Sequence, residues 1–323
     1  MRAFLAACTV LALAAQPGQA PLVLVRTIEL PRVEGRIDHL AFDPEHGRVF
    51  LAALGNDSVE VLDTQAGTHL KHLPGFREPQ GIAFVADSHA VAIANGQGAG
   101  AQLIDANDYH SLRTIALGDD ADNVRYDAAA KRIYVGYGAG ALAAIDPAGG
   151  RVVGRVALAG HPESFQLASA GGRIYVNVPS ANHIAVLDPQ AMRVVTTWPV
   201  SSAKANYPMA LDEEGKRLFI GCRRPALVLV YDTASGKQVG SFPIVGDTDD
   251  LFYDAVRKRL YITGGDGFVD VFSTDAGRYD RLAHIASAAG ARTSLFVTQQ
   301  SRLYVAVPHR GDQRASVQVY EPR

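Results

Sequence analysis

The strongest constraint on the fold is an internal repeat of about 42 residues that runs through the whole chain. Its clearest part is a short segment in which a basic residue precedes apolar, aromatic and apolar residues. This segment starts at Arg48, Arg132, Arg173, Arg217, Arg259 and Arg302, and Ala90 starts the related segment in the one gap. The steps between successive starts are 42, 42, 41, 44, 42 and 43 residues. Regular spacing over 323 residues predicts seven copies of one structural unit.

Each unit carries a second strand-like segment after the first. Val59 to Asp63 and Ile184 to Asp188 are examples, each a β-branched run that ends at a turn-forming residue. Turn-rich stretches separate the segments, which leaves room for about four short strands per unit. No segment shows sustained helical periodicity. We therefore predict an all-β, seven-bladed β-propeller with four antiparallel strands per blade, formed as a single domain by residues 21–323.

The closure of the ring can also be predicted. The seventh unit ends at Arg323 immediately after its third strand, so its fourth strand must come from elsewhere. Val25 to Leu30 closely matches Leu112 to Leu117, which is the fourth strand of the second unit. We expect the N-terminal strand to complete the last blade, because pairing it there protects two strand edges.

Several segments resemble the YVTN, or YncE-like, β-propeller repeat family. They include the Tyr-Val pairs that begin at Tyr134, Tyr175 and Tyr304, the run from Asn56 to Thr64, and the stretch from Gly75 to Phe84. The resemblance covers all of the chain after residue 20. It implies the propeller fold strongly and implies little chemistry, because that family is functionally mixed and mostly non-enzymatic or uncharacterised.

The first 20 residues are typical of a signal peptide. Arg2 supplies the positive charge, and the apolar run from Phe4 to Ala15 is too short to span a bilayer. Cleavage after residue 14 or residue 20 fits the pattern, and Pro21 would hinder the second. We expect an exported protein, periplasmic or extracellular, without a transmembrane segment. Cys222 would be its only cysteine, so no intrachain disulfide is expected.

The overall charge excludes some classes of partner. The chain has 31 basic and 33 acidic residues and a net charge of −2, which disfavours attraction to nucleic acid. A single-strand DNA binder would need a basic groove with interleaved aromatic side chains, and only small basic spots occur. We expect a monomer that binds a small polar or cationic ligand or a protein partner.

The candidate functional residues lie at equivalent positions, where the chain enters the first strand of each unit. Four of these seven positions are acidic, and the seven are Asp38, Gln80, Asp122, Glu163, Tyr207, Asp249 and Thr293. The next position adds His39, Asn123, Ser164 and Asp250. Because the first strand of a blade lines the central channel, these residues are predicted to surround one acidic channel mouth that binds a ligand.

Two alternatives to a plain ligand site stay open. The carboxylates could instead accept backbone N–H bonds and serve the scaffold alone. They could also bind a divalent metal, for which Asp38, His39, Glu163 and Asp249 are the candidate ligands. Four histidines lie near this face as potential donors: His39, His161, His183 and His309.

No catalytic motif identifies a reaction. Neither a GxSxG elbow nor a CxxCH haem motif occurs, and the glycine-rich stretches are turns without a following helix. The leading hypothesis is therefore a ligand-binding or protein-interaction scaffold that acts without catalysis. The alternative is a metal-assisted hydrolase, lactonase or lyase with its site at the same mouth.

Overall fold

Seven four-stranded antiparallel sheets form a β-propeller. The computed structural model describes residues 20–98, 100–118, 120–169 and 172–323. The predicted signal peptide, except Ala20, lies outside the described residues. The strands of blade 1 are β2 (Leu40–Asp43), β3 (Arg48–Ala53), β4 (Ser58–Asp63) and β5 (Thr68–Pro74). Those of blade 2 are β6 (Pro79–Val85), β7 (Ala90–Asn95), β8 (Gly100–Asp105) and β9 (Ser111–Ala116).

The middle of the chain forms the next three blades. Blade 3 contains β10 (Ala121–Asp127), β11 (Arg132–Tyr137), β12 (Ala141–Asp146) and β13 (Arg151–Ala157). Blade 4 contains β14 (Phe165–Leu167), β15 (Ile174–Val178), β16 (His183–Asp188) and β17 (Arg193–Pro199). Blade 5 contains β18 (Lys204–Asp212), β19 (Arg217–Arg224), β20 (Ala226–Asp232) and β21 (Gln238–Pro243).

The last two blades complete the circle. Blade 6 contains β22 (Thr248–Asp254), β23 (Arg259–Gly264), β24 (Phe268–Ser273) and β25 (Arg281–Ala286). Blade 7 contains β26 (Ser294–Val297), β27 (Arg302–Val307), β28 (Ser316–Pro322) and the N-terminal β1 (Leu22–Glu29). Short 3-10 turns occupy Leu54–Asn56, Ala86–Ser88, Pro179–Ala181 and Asp275–Gly277.

The N-terminal strand closes the ring as predicted. Strand β1 pairs antiparallel with β28, with Ile28 opposite Val317 and Leu24 opposite Tyr320, and a bulge separates Leu24 from Arg26. Blade 7 is therefore assembled from both ends of the described chain. The first strands of neighbouring blades contact one another all the way round, from β26 back to β2. The predicted fold class and closure are both confirmed.

The hydrophobic core lies between blades, where the sheets pack face to face. Phe50 is fully buried and packs with Val91 and Ile93 of blade 2. Tyr304 of blade 7 packs with Val49 and Leu51 of blade 1 in the same manner. All of the recurrent aromatics are buried, namely Phe50, Tyr134, Tyr175, Phe219, Tyr261 and Tyr304. The repeat thus supplies each interface with one large side chain.

The blade topology sorts the loops onto two faces. The connections that lead into β2, β6, β10 and their equivalents lie on one face with the β3–β4 and equivalent turns. The remaining turns lie on the opposite face, here called the far face. The channel mouth on the first face is therefore where the predicted site residues belong. Within the described part of the chain, no helix is long and apolar enough to cross a membrane.

Candidate functional site

Charged side chains from several blades meet at the channel mouth. Asp38 comes from blade 1, Asp122 from blade 3, Glu163 from blade 4 and Asp249 from blade 6. Arg36, on the connection into blade 1, lies among them. The carboxylate of Asp38 raises the pKa of Arg36, against the opposing effect of burial. The carboxylates of Asp249, Asp122 and Glu163 act on the pKa of Arg36 in the same direction, so all four favour the charged form of this guanidinium.

A glycine allows the inner strands of blades 2 and 3 to lie close together. A Cβ atom at Gly81 of β6 would lie 1.9 Å from the carbonyl oxygen of Asp122. No side chain fits in that space, so only glycine allows the inner strand of blade 2 to approach blade 3 this closely.

The four carboxylates do not serve as backbone caps. Among the described residues, the side chains of Asp38, Asp122, Glu163 and Asp249 accept no hydrogen bond from a backbone N–H. Carboxylates of the far face behave differently, since one oxygen of each accepts one or two backbone N–H bonds in a turn. Those far-face caps are Asp43, Asp63, Asp105, Asp127, Asp188, Asp212, Asp232 and Asp254. Capping of turns is therefore a shared role of these far-face aspartates and not of the four mouth carboxylates.

Asp38 is held by Arg36 and His39. Its carboxylate accepts a 2.9 Å hydrogen bond from Arg36 and lies 3.7 Å from Nε2 of His39. Only 2% of the Asp38 side chain is exposed, whereas 48% of the Arg36 side chain is. Burial raises the pKa of Asp38, although His39 and Arg36 both favour its ionised form. Arg36 is thus the exposed partner in a pair whose carboxylate is buried.

His39, Asp250 and Arg125 form a polar layer below the mouth. Nδ1 of His39 lies 3.4 Å from the Asp250 carboxylate, which accepts a 2.8 Å bond from the backbone N–H of Ser294. Burial lowers the pKa of His39, but the carboxylates of Asp250 and Asp38 outweigh it and raise that pKa to about 10. Arg125 donates to Ser164 Oγ at 3.5 Å, and burial lowers its pKa. His39 is therefore an imidazolium at neutral pH.

Below this layer the channel becomes mainly apolar. A cavity of about 340 Å³ is bounded by the polar layer and by apolar side chains from five blades. The apolar lining comes from Leu40, Ile82, Phe84, Val124, Tyr126, Phe252 and Leu295. The charged residues that line this cavity, His39, Arg125 and Asp250, are thus those of the polar layer.

Asp249 is paired with Arg223 of blade 5. Nη2 of Arg223 lies 2.6 Å from Asp249 Oδ1, and its Nε donates to the backbone oxygen of Thr248 at 2.8 Å. The guanidinium also lies 4.0 Å from the ring centroid of Tyr207, a cation–π contact. Burial nevertheless raises the pKa of Asp249 to about 6, because it outweighs the favourable effect of Arg223.

Asp122, His161 and Glu163 form a separate group on the blade 3 to blade 4 side. Each offers one ligand atom, and the three atoms lie within 4.8 Å of one another. Burial and the carboxylate of Asp122 raise the pKa of Glu163 to about 8. Burial opposes the charge of His161, but Asp122, the Gly138 carbonyl and Asp120 raise its pKa to about 9. Asn123 donates a 3.3 Å bond to Asp122, and Oδ1 of this buried amide has no partner in the described structure.

The predicted site residues divide into those at the mouth and those beside it. Gln80 lies beside Gly96, where its Nε2 would lie 2.6 Å from a Cβ atom built there. His309 is paired with Glu34, and His183 lies on the third strand of blade 4. His309 and His183 are not in the central cluster, whereas the backbone oxygen of Gln80 accepts a 3.3 Å hydrogen bond from the backbone N–H of His39. Cys222 is buried, as expected, and burial raises its pKa to about 12.

The pairing of the mouth residues bears on two of the sequence predictions. The metal candidates Asp38, His39, Glu163 and Asp249 do not form one donor group, because Asp38 is paired with Arg36, and Asp249 with Arg223. Of the four, only Glu163 belongs to a set of converging donors among the described residues. The mouth is also not simply acidic, because arginines alternate with the carboxylates. The sequence analysis did not identify Arg36, Arg125 and Arg223. Arg36 lies before β2, Arg125 within β10 and Arg223 within β19, so none of them occupies the position that was compared between blades.

Comparisons with known proteins support the fold alone. No protein-family model matches the chain, and no curated protein matches it. A solved chain of Kuenenia stuttgartiensis hydrazine synthase is 15% identical, with a TM-score of 0.75 over 89% of this chain and 96% of that one. A chain from a crystal structure of the mitotic checkpoint complex is 14% identical, with a TM-score of 0.79 over 99% of this chain and 98% of that one. Both similarities are too distant in sequence to indicate a shared activity.

Proposed function

We propose that the protein is a non-catalytic binding scaffold whose channel mouth takes a cationic group, supplied by a small polar ligand or by a side chain of a partner protein. One observation carries the proposal. The guanidinium of Arg36 lies in the combined field of four carboxylates, none of which caps the backbone in the described structure. The mouth therefore already accommodates one cation of the kind proposed, on a side chain that is half exposed.

The raised pKa values of two mouth carboxylates favour either the binding of a second cation or the replacement of Arg36 by a cationic group of the ligand. Asp249 and Glu163 have raised pKa values, so their ionised forms are disfavoured in the free protein. A cation close to these carboxylates stabilises their ionised forms and recovers part of that cost. Since the Arg36 side chain is half exposed, an incoming cation can take its place beside Asp38, whose buried carboxylate then keeps a cationic partner.

A thermal-shift titration tests this function. Agmatine and spermidine serve as probes, because they carry guanidinium and ammonium groups. We expect each to raise the melting temperature of the wild type progressively with concentration, as mass action requires. The double variant Asp38→Asn with Asp249→Asn should lose this response. Asp280→Asn, an exposed far-face change, should keep it and controls for general charge effects.

Two results would contradict the function. One is the absence of any shift in the wild type with either probe. The other is an equal shift in the wild type and the double variant, which would place the binding elsewhere on the surface. A correctly folded double variant is verified by its circular dichroism spectrum before the titration.

Family membership and cellular location belong to the same proposal. We place the protein among YVTN, or YncE-like, propellers and outside the cytoplasm, as a monomer. The support is the Tyr-Val repeat pattern and the apolar run that follows Arg2. Fractionation of cells that express the full chain tests the location, and N-terminal sequencing of the product determines whether cleavage follows residue 14 or residue 20.

A second candidate function is metal-assisted chemistry at the same mouth, as in a hydrolase, lactonase or lyase. The group formed by Asp122, His161 and Glu163 favours it, because imidazole and carboxylate are donors for transition metals. A screen of lactone and ester hydrolysis with metal-loaded protein tests this candidate. Loss of a measured activity in Glu163→Gln would support it, and inactivity on every substrate leaves the binding role as the preferred function.

A further inference from the structure

The group at Asp122, His161 and Glu163 has the spacing of a metal site and not of a hydrogen-bonded cluster. Nε2 of His161 lies 3.7 Å from Oδ2 of Asp122, which is too long for a hydrogen bond. Two donors bound tetrahedrally at about 2.0 to 2.1 Å from one zinc ion lie about 3.4 Å apart. The observed separation is close to that value. The third donor, Glu163, lies within 4.8 Å of both.

The orientation of His161 leaves Nε2 available. Its Nδ1 lies 2.7 Å from the carbonyl oxygen of Gly138, to which it donates, and 3.2 Å from the carboxylate of Asp120. A metal-binding histidine usually donates its other ring N–H to a carbonyl or carboxylate, which fixes the tautomer. The backbone N–H of Gly138 in turn donates to the backbone carbonyl oxygen of Asp120 at 2.9 Å, which fixes the turn that holds the ring.

The carboxylates of the group are also available. In the described structure, Glu163 accepts no side-chain hydrogen bond, although its backbone N–H is fixed by a 3.0 Å bond to Asn177. Asp122 accepts only the 3.3 Å bond from Asn123. The Asn123 side chain beside it is 2% exposed, and its Oδ1 has no partner among the described residues. A buried, unpaired acceptor next to two free carboxylates is costly unless a cation is present.

A second donor group in the described structure lacks these features. Asp105, Asp108 and His110 lie together in a far-face turn. Asp105 accepts two backbone N–H bonds, and Asp108 accepts from both the backbone and the ring of His110. Its carboxylates are already engaged in the turn. This group therefore serves as a matched comparison and not as a candidate.

We propose that Asp122 Oδ2, His161 Nε2 and Glu163 form a three-ligand site for a divalent transition-metal ion, with Asp120 and the Gly138 carbonyl as positioning partners of His161. One nitrogen and two carboxylate donors suit zinc or manganese better than calcium, which prefers six to eight oxygens. Three protein ligands would leave a tetrahedral ion one coordination position for water or a ligand. The metal ion would be a cation bound at the mouth, where the proposed function places a cationic group, so this inference rests on that function.

Calorimetric titration of the untagged protein, stripped of metal with a chelator and then dialysed, tests the site. We expect one zinc ion per chain in the wild type, weaker manganese binding, and no comparable binding of calcium. His161→Gln and Glu163→Gln should each weaken zinc binding by more than about 100-fold, because loss of even an outer partner costs about 10- to 100-fold. Asp120→Asn should weaken it by about 10-fold. His110→Gln, in the comparison group, should leave zinc binding unchanged.

The outcomes separate this inference from the proposed function. Zinc binding that survives in both His161→Gln and Glu163→Gln, or that disappears in His110→Gln, overturns the site. Absence of stoichiometric zinc binding in the wild type overturns it as well. If zinc does not bind while agmatine does, the metal site is wrong and the proposed function stands. If both fail, the mouth is not a cation site. An anomalous X-ray signal at the zinc edge gives an independent position for the ion.

Discussion

At the scale of single residues, ion pairs decide the properties of the mouth. The four carboxylates at equivalent positions were predictable, because a fixed repeat brings equivalent positions to one opening. Their partners were not, because Arg36 precedes the repeat position and Arg223 reaches Asp249 from the neighbouring blade. Contacts between blades depend on side-chain length and direction, which a repeat alignment does not encode.

His39 should make the stability of the protein dependent on pH on the alkaline side. The fold raises its pKa from the ordinary 6.5 to about 10, against burial and through the carboxylates of Asp250 and Asp38. Its stabilising contribution is therefore fully present below about pH 6.5 and is lost as the pH rises through about 10. Urea unfolding of wild type and His39→Gln across this range measures it. The stability advantage of the wild type should shrink with rising pH, and a constant difference would contradict the assignment.

Asp249 should change the stability in the same direction as His39, but in a more acidic window. Its pKa is raised from 3.8 to about 6, so folding is penalised as the pH rises through this window. Asp249→Asn removes the penalty, and the amide oxygen can still accept from Arg223. We expect its free energy of unfolding at neutral pH to equal or exceed that of the wild type. A loss of more than about 1 kcal/mol would show that the pair with Arg223 is net stabilising, as such pairs are in some proteins.

At the scale of strands, the N-terminal segment is the element that closes the ring. The sequence predicted it from a match between two strands and from a missing partner, and the pairing of β1 with β28 confirms it. Its bulge between Leu24 and Arg26 was not predictable, because a bulge depends on local twist and not on composition.

Matched substitutions in β1 test the closure. Ile28 is 3% exposed and packs in the core between blades 7 and 1, whereas Val25 is 38% exposed. Ile28→Ala should lower the free energy of unfolding by about 2 to 5 kcal/mol, and Val25→Ala by much less. Deletion of residues 21–31 should lower the melting temperature sharply, because it exposes strand edges on both sides. Full stability after the deletion would disprove the role of this strand.

The recurrent aromatics are the second device at this scale. Phe50 is fully buried against blade 2, so Phe50→Ala should cost about 3 to 5 kcal/mol in chemical denaturation. Phe50→Leu keeps most of the volume and should cost less. Binding of agmatine should be unchanged in the Leu variant, because Phe50 lies in the interface between blades. Loss of binding without loss of stability would show that the aromatic belongs to a site.

At the scale of the whole molecule, the two faces of the propeller have different tasks. Far-face aspartates cap turns through backbone N–H bonds, whereas in the described structure Asp38, Asp122, Glu163 and Asp249 at the mouth accept none, and Asp38 and Asp249 are paired with arginines. The sequence predicted the fold, the face and the acidic positions, because all three follow from periodicity. It could not predict which donors converge, since Asp122, His161 and Glu163 meet through the geometry of two neighbouring blades.

The most direct test of the central claim removes the guanidinium of Arg36, the cation that the protein itself places at the mouth. Arg36→Ala removes the guanidinium whose charged form the four carboxylates favour. The Arg36 side chain then no longer competes with a ligand for these carboxylates. Calorimetric titration with agmatine should then show one site per chain and tighter binding than in the wild type, and the tighter binding should disappear when Asp38→Asn and Asp249→Asn are added. Equal or weaker binding in Arg36→Ala than in the wild type would contradict the claim that the mouth is built for a cationic group.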